Sequence, residues 1–251
     1  MKQDITRIVS WLGERVAAST ARGFVIGLSG GIDSAVVSRL CQLARPDATV
    51  GVIMPCYSDP QDEADARLVA EHFGTATVKV DLARAYDALL EDARPMLGPL
   101  LVNHQQPPDD LRARLPIANL KPRLRMATLY FVANSMNYLV VGTGNRSEIA
   151  IGYFTKYGDG GVDILPIGHL LKRQVCALAR ELGVPDRVID KPPSAGLWLG
   201  QTDEAEMGFT YDDLERYLED GPQSVTPAVA MKIERLARAS EHKRKPPVVL
   251  E

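Results

Sequence analysis

The sequence predicts an α/β protein with an open, mostly parallel, doubly wound sheet and flanking helices. Three observations predict it. Four short apolar runs read as strands, helical stretches lie between them, and a glycine-rich turn joins the first strand directly to a helix. Strands and helices alternating in this way make βαβ units.

The elements follow in chain order. Ile5, Ile8, Val9, Leu12 and Val16 recur at helical spacing, so the N-terminal stretch is an amphipathic helix with one buried face. Gly23 to Leu28 (GFVIGL) suits a buried parallel strand. Ile32 to Leu43 is helical and ends near Pro46. Thr49 to Met54 (TVGVIM) is a second strand. Asp62 to Phe73 is a helix with Gly74 placed as its C-cap. Thr75 to Val80 is a third strand, and Tyr138 to Val141 a fourth that runs into Gly142. Pro95 to Pro116 carries five prolines and reads as a long surface loop with some local helix, a candidate lid. Gly158 to Gly161 (GDGG) is a second candidate for mobility. The stretch after Gly200 is helical and acidic and leads into the basic run His242 to Lys245. No internal repeat is visible, and the chain reads as one domain over residues 1–251. Its parts are an N-terminal helix (1–22), an α/β core (23–200) and a C-terminal helical segment (201–251).

Composition narrows the function. The chain has 251 residues, 45% hydrophobic and 24% charged, with a formal net charge of −3. A general electrostatic hold on nucleic acid is not expected. The three cysteines are odd in number and show no CxxC spacing, so reduced thiols in a cytoplasmic protein are expected. The N-terminus has charges throughout, so neither a signal peptide nor a membrane contact is expected.

The chemistry concentrates in Gly27-Leu28-Ser29-Gly30-Gly31-Ile32-Asp33-Ser34. Glycines let a ligand approach the backbone, exposed N–H groups form an anion cradle, and the helix start adds roughly half a positive charge. Ser29 and Ser34 add hydroxyl donors. No lysine follows Gly31, which excludes a Walker A loop. Asp33 is the unusual member. A carboxylate touching a phosphate costs roughly 4 kcal/mol at an effective dielectric near 20. A Mg²⁺ between them removes that cost, so Asp33 predicts a metal, and the metal predicts a polyphosphate. The alternative is that Asp33 merely caps its helix.

Further motifs follow. NLKPRLRM (119–126) holds Arg123 and Arg125, either readers of phosphate or carboxylate or a solvated basic helix start. GTGNRSE (142–148) offers Thr143 as a donor and Glu148 as a second carboxylate, or caps a helix through Thr143 or Asn145. It also follows a strand and adjoins the first loop if strand order reverses there. GYFTKYGDGGVD (152–163) sets Lys156 between aromatics, which suits an anionic aromatic ligand or a plain solvated turn. Lys172 in PIGHLLKRQV stands near a helix start, where it reaches outward to phosphate. KPPSAGLW (191–198) adds the hydroxyl of Ser194, by itself an ordinary loop serine.

SGGxDS resembles the pyrophosphate loop of the ATP pyrophosphatases, which split ATP to AMP and pyrophosphate. That group includes GMP synthetase, tRNA-thiolating enzymes and NAD synthetase, and the loop alone does not choose among them. The ordered set SGGIDS, NLKPRLRM, GTGNRSE, GYFTKYGDGG, KPPSAGLW–QTDE and HKR resembles the NAD synthetase family from about Gly23 to Lys243. The resemblance implies a Rossmann-like sheet of the adenine nucleotide alpha hydrolase type. It implies Mg²⁺- and ATP-dependent amidation of deamido-NAD through an adenylate. It assigns ATP contacts to Gly27 through Ser34, Thr143, Lys172 and Ser194, and the metal to Asp33 and Glu148. It makes Asp33, Lys172 and Glu148 the catalytic set. It assigns deamido-NAD contacts to Arg123, Lys156, Asp163, His242 and Lys243, and implies a homodimer with the dinucleotide at the subunit interface. Two positions depart from the family: Pro122, commonly alanine, and Ser194, often threonine. The whole length is used by the synthetase body and residue 2 is Lys, so free ammonia is the expected donor, with a separate glutaminase subunit left open. A tRNA-thiolating or GMP synthetase-like enzyme and a non-catalytic ATP-binding module are the rival readings.

Overall fold

A computed structural model describes residues 1–101, 111–198 and 200–250. Helix α1 (Lys2–Ala17) buries Ile8, Leu12 and Val16, the stripe its spacing predicts. Strand β1 (Phe24–Gly27) leads through a short loop into α2 (Ile32–Ala44). There follow β2 (Thr49–Ile53), α3 (Pro60–Phe73) and β3 (Ala76–Lys79). Gly74 ends α3 in the left-handed conformation, φ 66°, as its C-cap position requires.

Then come α4 (Ala83–Leu101), α5 (Leu111–Ala118), α6 (Leu120–Met136), β4 (Leu139–Val141) and α7 (Arg146–Ile151). The C-terminal part holds α8 (Lys172–Leu182), α9 (Asp186–Ile189), α10 (Asp203–Met207), α11 (Tyr211–Asp220) and α12 (Pro227–Ala239).

All strand pairs are parallel, in the order β3-β2-β1-β4. The chain winds outward from β1 to β3 and then returns to the far side of β1. Strand order therefore reverses between β1 and β4, which opens a crevice at their carboxyl ends. Side chains of β1 alternate between two cores. Phe24 and Ile26 join Leu12, Leu40 and Leu178 on the α1, α2 and α8 face. Val25 joins Val52, Tyr86 and Ala133 on the α4 and α6 face. Helices on both faces make the sheet doubly wound, as expected. A third cluster of Ile151, Met207, Phe209, Leu214 and Ile233 ties the C-terminal helices to α7.

The segment from Pro95 to Pro116 is not a loop throughout. Helix α4 continues through Pro95 to Leu101, and α5 holds Pro116 inside it. Tyr86 and Leu90, one turn apart, pack against the α6 face, and that packing outweighs the N–H groups the prolines lack. Residues 102–110 of the expected lid, Pro95 to Pro116, lie outside the described residues. The GDGG turn is tied down: Gly158 and Gly160 both donate to Thr155 O, and Gly161 donates to Gly158 O. Among the described residues no helix is long and apolar enough to cross a membrane.

Candidate active site at the strand-order reversal

The glycine loop leaves β1 at the crevice. Gly30 has φ 77°, and a β-carbon there would lie 2.3 Å from Asp62 O. Only glycine lets the loop lean so closely on the first turn of α3. Ser34 is buried, and its hydroxyl donates to Gly31 O at 2.9 Å and accepts from Ser29 N at 3.3 Å. The Ser29 hydroxyl lies 3.0 Å from that of Ser34 and accepts from Gly31 N. These hydroxyls brace the loop, so Ser34 is not the outward donor its position suggests. The unpaired N–H groups of the first turn of α2 form the anion-facing end.

Asp33 does not cap α2, whose N-cap is Gly31 with no side-chain cap bond. Its carboxylate instead accepts from Asn145 Nδ2 at 3.0 Å and from Lys172 Nζ. Asn145 is the N-cap of α7 and forms a capping box with Glu148. The Glu148 side chain accepts from Asn145 N at 3.2 Å, and its other oxygen lies 3.7 Å from Lys172 Nζ. Of the two readings of GTGNRSE the capping one is realised, through Asn145, and the same segment brings Glu148 to within 3.7 Å of Lys172. Lys172 does not reach outward as expected from its helix start. It is 6% exposed and bridges the two carboxylates, because their charge outweighs the helix dipole. Burial, then the neighbouring Asp33 charge, pushes the Glu148 carboxyl up to about 8 against the pull of Lys172. Burial disfavours the Lys172 ammonium, but Asp33 and Glu148 outweigh it and hold its pKa above the ordinary value.

Asp33 and Glu148 come from the ends of β1 and β4 and present hard oxygen donors. Among the described residues no group of three or more His, Cys, Asp or Glu forms a metal cage by itself. The pair therefore fits Mg²⁺, which binds through one or two carboxylates and completes its shell with phosphate and water.

A cavity of about 550 Å³ runs along this crevice. Its lining combines the apolar side chains of Leu28, Met54 and Leu129, the polar set of Ser29, Asp33, Thr143, Glu148 and Lys172, and Tyr153, Phe154, Asp203, Glu206 and Lys243. The strap 191–198 crosses it and brings Ser194 to the wall. Lys191 donates to Asp62 at 2.7 Å and Asp65 at 2.8 Å, while buried Lys121 donates to Leu197 O at 2.8 Å. Ser194 accepts from Gly196 N at 3.1 Å. Sequence reasoning missed Asn145 as the partner of Asp33, and Lys121 and Lys191 as the strap's anchors. All three stand inside the motifs quoted above, but their partners lie 76 to 129 positions away. Arg125 braces the wall by donating to Met54 O at 3.2 Å and Ser58 Oγ at 3.1 Å.

The remaining predicted residues are spread differently. Arg123 is exposed on α6 and donates to Lys156 O at 3.4 Å, so these two adjoin outside the cavity lining. The Lys156 ammonium lies 5.2 Å from the Tyr157 ring. Asp163 accepts from Tyr130 Oη at 2.9 Å and Val140 N at 2.8 Å. His242 is exposed in the 3₁₀ turn Glu241–Lys243. Lys243 donates to Gly152 O at 2.8 Å and Phe154 O at 2.6 Å, and it alone of these five lines the cavity.

Comparison with known proteins places this arrangement in context. A family model described as NAD synthase matches residues 4–247. The NH(3)-dependent NAD(+) synthetase of Carboxydothermus hydrogenoformans is 49% identical over 246 residues, covering 97% of this chain and 95% of that protein. The structure of NMN synthetase from Francisella tularensis superposes with a TM-score of 0.90 at 37% identity, over 99% of this chain and 98% of that one. NH3-dependent NAD synthetase from Campylobacter jejuni gives a TM-score of 0.79 at 27% identity, over 100% and 98%.

Proposed function

The chain belongs to the NAD synthase family, and from that premise we propose that it amidates deamido-NAD to NAD with ammonia and ATP, releasing AMP and pyrophosphate. The observation that carries the reading is the meeting of Asp33, Glu148 and Lys172 beside the glycine loop, at the point where strand order reverses. The nicotinate carboxylate attacks the α-phosphorus of ATP, and the P–O bond to pyrophosphate breaks. Ammonia then attacks the acyl carbon, AMP leaves with the electron pair, and the nitrogen sheds one proton to water to give the neutral amide. A bare carboxylate could release only oxide, whereas AMP is a good leaving group.

The residues divide the work by position. The loop Gly27 to Ser34 is assigned to the phosphates, which the N–H groups of the first turn of α2 would cradle, with Thr143 and Ser194 also in the cavity lining. Asp33 and Glu148 would hold Mg²⁺, which supplies charge neutralisation for the departing pyrophosphate. Lys172, held between the two carboxylates and lining the cavity, is placed to stabilise the charge that develops on the phosphates. The apolar wall of Leu28, Met54 and Leu129 suits the adenine ring.

Arg123, Lys156, Asp163, His242 and Lys243 are assigned to deamido-NAD. Arg123, Ala127 and Phe131 follow one another at i, i+4 along one exposed face of α6, and Phe131 is 73% exposed. We place the homodimer contact on this face, around exposed Phe131, which would set Arg123 and the dinucleotide at the subunit junction. The free cysteines Cys41, Cys56 and Cys176 suit the reducing cytoplasm.

The test is an assay with Mg·ATP, an ammonium salt and deamido-NAD, run beside one with the mononucleotide counterpart. NAD and AMP should form in equal amounts from the dinucleotide. Release of ADP would overturn the chemistry, and exclusive use of the mononucleotide would overturn the substrate.

A further inference from the structure

The amidation proposed above needs a nitrogen donor as well as two nucleotides, and at neutral pH dissolved ammonia is almost wholly ammonium. The cavity lining around Asp203 is suited to such a cation. Beside Asp203 it carries the carboxylates of Glu148 and Glu206 and the ammonium groups of Lys172 and Lys243. Both lysines are already engaged: Lys172 by Asp33, and Lys243 by the carbonyls of Gly152 and Phe154.

Asp203 is the group without a full set of partners. It opens α10 and is 4% exposed. Its Oδ2 accepts from Tyr211 Oη at 2.8 Å, but its Oδ1 is buried with no hydrogen-bond partner. A buried carboxylate oxygen left unpaired is costly and calls for an explanation. The nearby donors are drawn off to Glu206: the Tyr153 hydroxyl stands between the two carboxylates but makes its 2.8 Å bond to Glu206 Oε2, and Gln201 Nε2 donates to that same oxygen at 2.7 Å.

Tyr211 also fixes where this oxygen stands relative to the reaction. Its ring centroid lies 5.4 Å from Lys172 Nζ, while its hydroxyl holds Asp203. Asp203 is therefore one phenol ring away from the point where Asp33, Glu148 and Lys172 gather. Ammonium held there gives one proton to the Asp203 carboxylate and enters the cavity as ammonia, the form with a lone pair to attack.

We propose that Asp203, oriented by Tyr211, is the ammonium seat of this enzyme. The proposal rests on the amidation reading. A divalent metal is a poor fit to this position, because it demands several oxygen ligands and Asp203 belongs to no group of three potential metal ligands among the described residues. Ammonium needs only hydrogen-bond acceptors, and Asp203 Oδ1 is one that stands free.

Two measurements test the seat. Wild-type crystals soaked in thallium(I), a monovalent cation close to ammonium in size, should show an anomalous peak beside Asp203 Oδ1. Folded Asp203→Asn should raise the KM for ammonium about tenfold or more, with the KM values for ATP and deamido-NAD within about twofold of wild type. Tyr211→Phe should raise the ammonium KM by a smaller factor, and it carries the kinetic test if Asp203→Asn does not fold. Absence of thallium from Asp203, or an ammonium KM unchanged in the folded variants, overturns the seat. Failure of the wild-type enzyme to make NAD from ammonium would instead overturn the amidation reading, because thallium binding does not depend on turnover.

Discussion

Glu148 shows how one side chain serves both fold and chemistry. It completes the capping box of α7 and faces Asp33 across Lys172. Its carboxyl is raised from an ordinary 4.5 to about 8 by burial and by Asp33, so the native state favours its protonated form. Its contribution to stability is therefore intact below the ordinary carboxylate range and is lost as pH rises through about 8. Glu148→Gln keeps an acceptor for the Asn145 N–H but never ionises. The nucleotide-free variant should melt further above wild type at pH 9 than at pH 5, by about 5 °C or more. Differential scanning calorimetry at the two pH values decides this, and an equal gap at both would refute it. Asp33 and Glu148 were legible from residue type and from their place after strands. Their shared contact with Lys172 was not, because Lys172 is 139 positions from Asp33 and a helix start gives no hint of an inward turn.

At the scale of elements, the loop between β1 and α2 depends on its fit to α3. Gly30→Ala would drive a β-carbon to 2.3 Å from Asp62 O at φ 77°. At Gly31 the nearest atom to a new β-carbon is the Ser29 hydroxyl, at 3.3 Å, and φ is −95°. Titration with ATP should therefore show binding weakened about tenfold or more in Gly30→Ala, against less than about threefold in Gly31→Ala. Equal losses would mean that the loop does not lean on α3. The strands and the helices α1, α2 and α3 were readable because their apolar periodicity is local. The course of α4 was hidden by Pro95, since its docking on α6 is a contact between segments the local pattern cannot connect.

For the whole molecule, the exposed face of α6 makes assembly testable. Phe131 is 73% exposed, and a charge placed there should not disturb the monomer's core. Phe131→Asp should turn a dimer into a monomer by sedimentation while its Tm moves by less than about 2 °C. It should also raise the KM for deamido-NAD more than that for ATP, since Arg123 shares the face. A variant that remains dimeric would move the interface elsewhere. The sequence by itself determined the fold class, the four strands and the glycine loop, along with the identity of the two carboxylates. These depend on local periodicity, on turn chemistry and on residue types whose electrostatics need no partner to be read. Only the tertiary structure decided that Lys172 points inward, that serines brace the loop, that Lys121 and Lys191 hold the strap, and that Asp203 keeps an unpaired oxygen. Each of those depends on which distant side chains arrive within hydrogen-bond distance, and that is set by how the helices pack on the sheet.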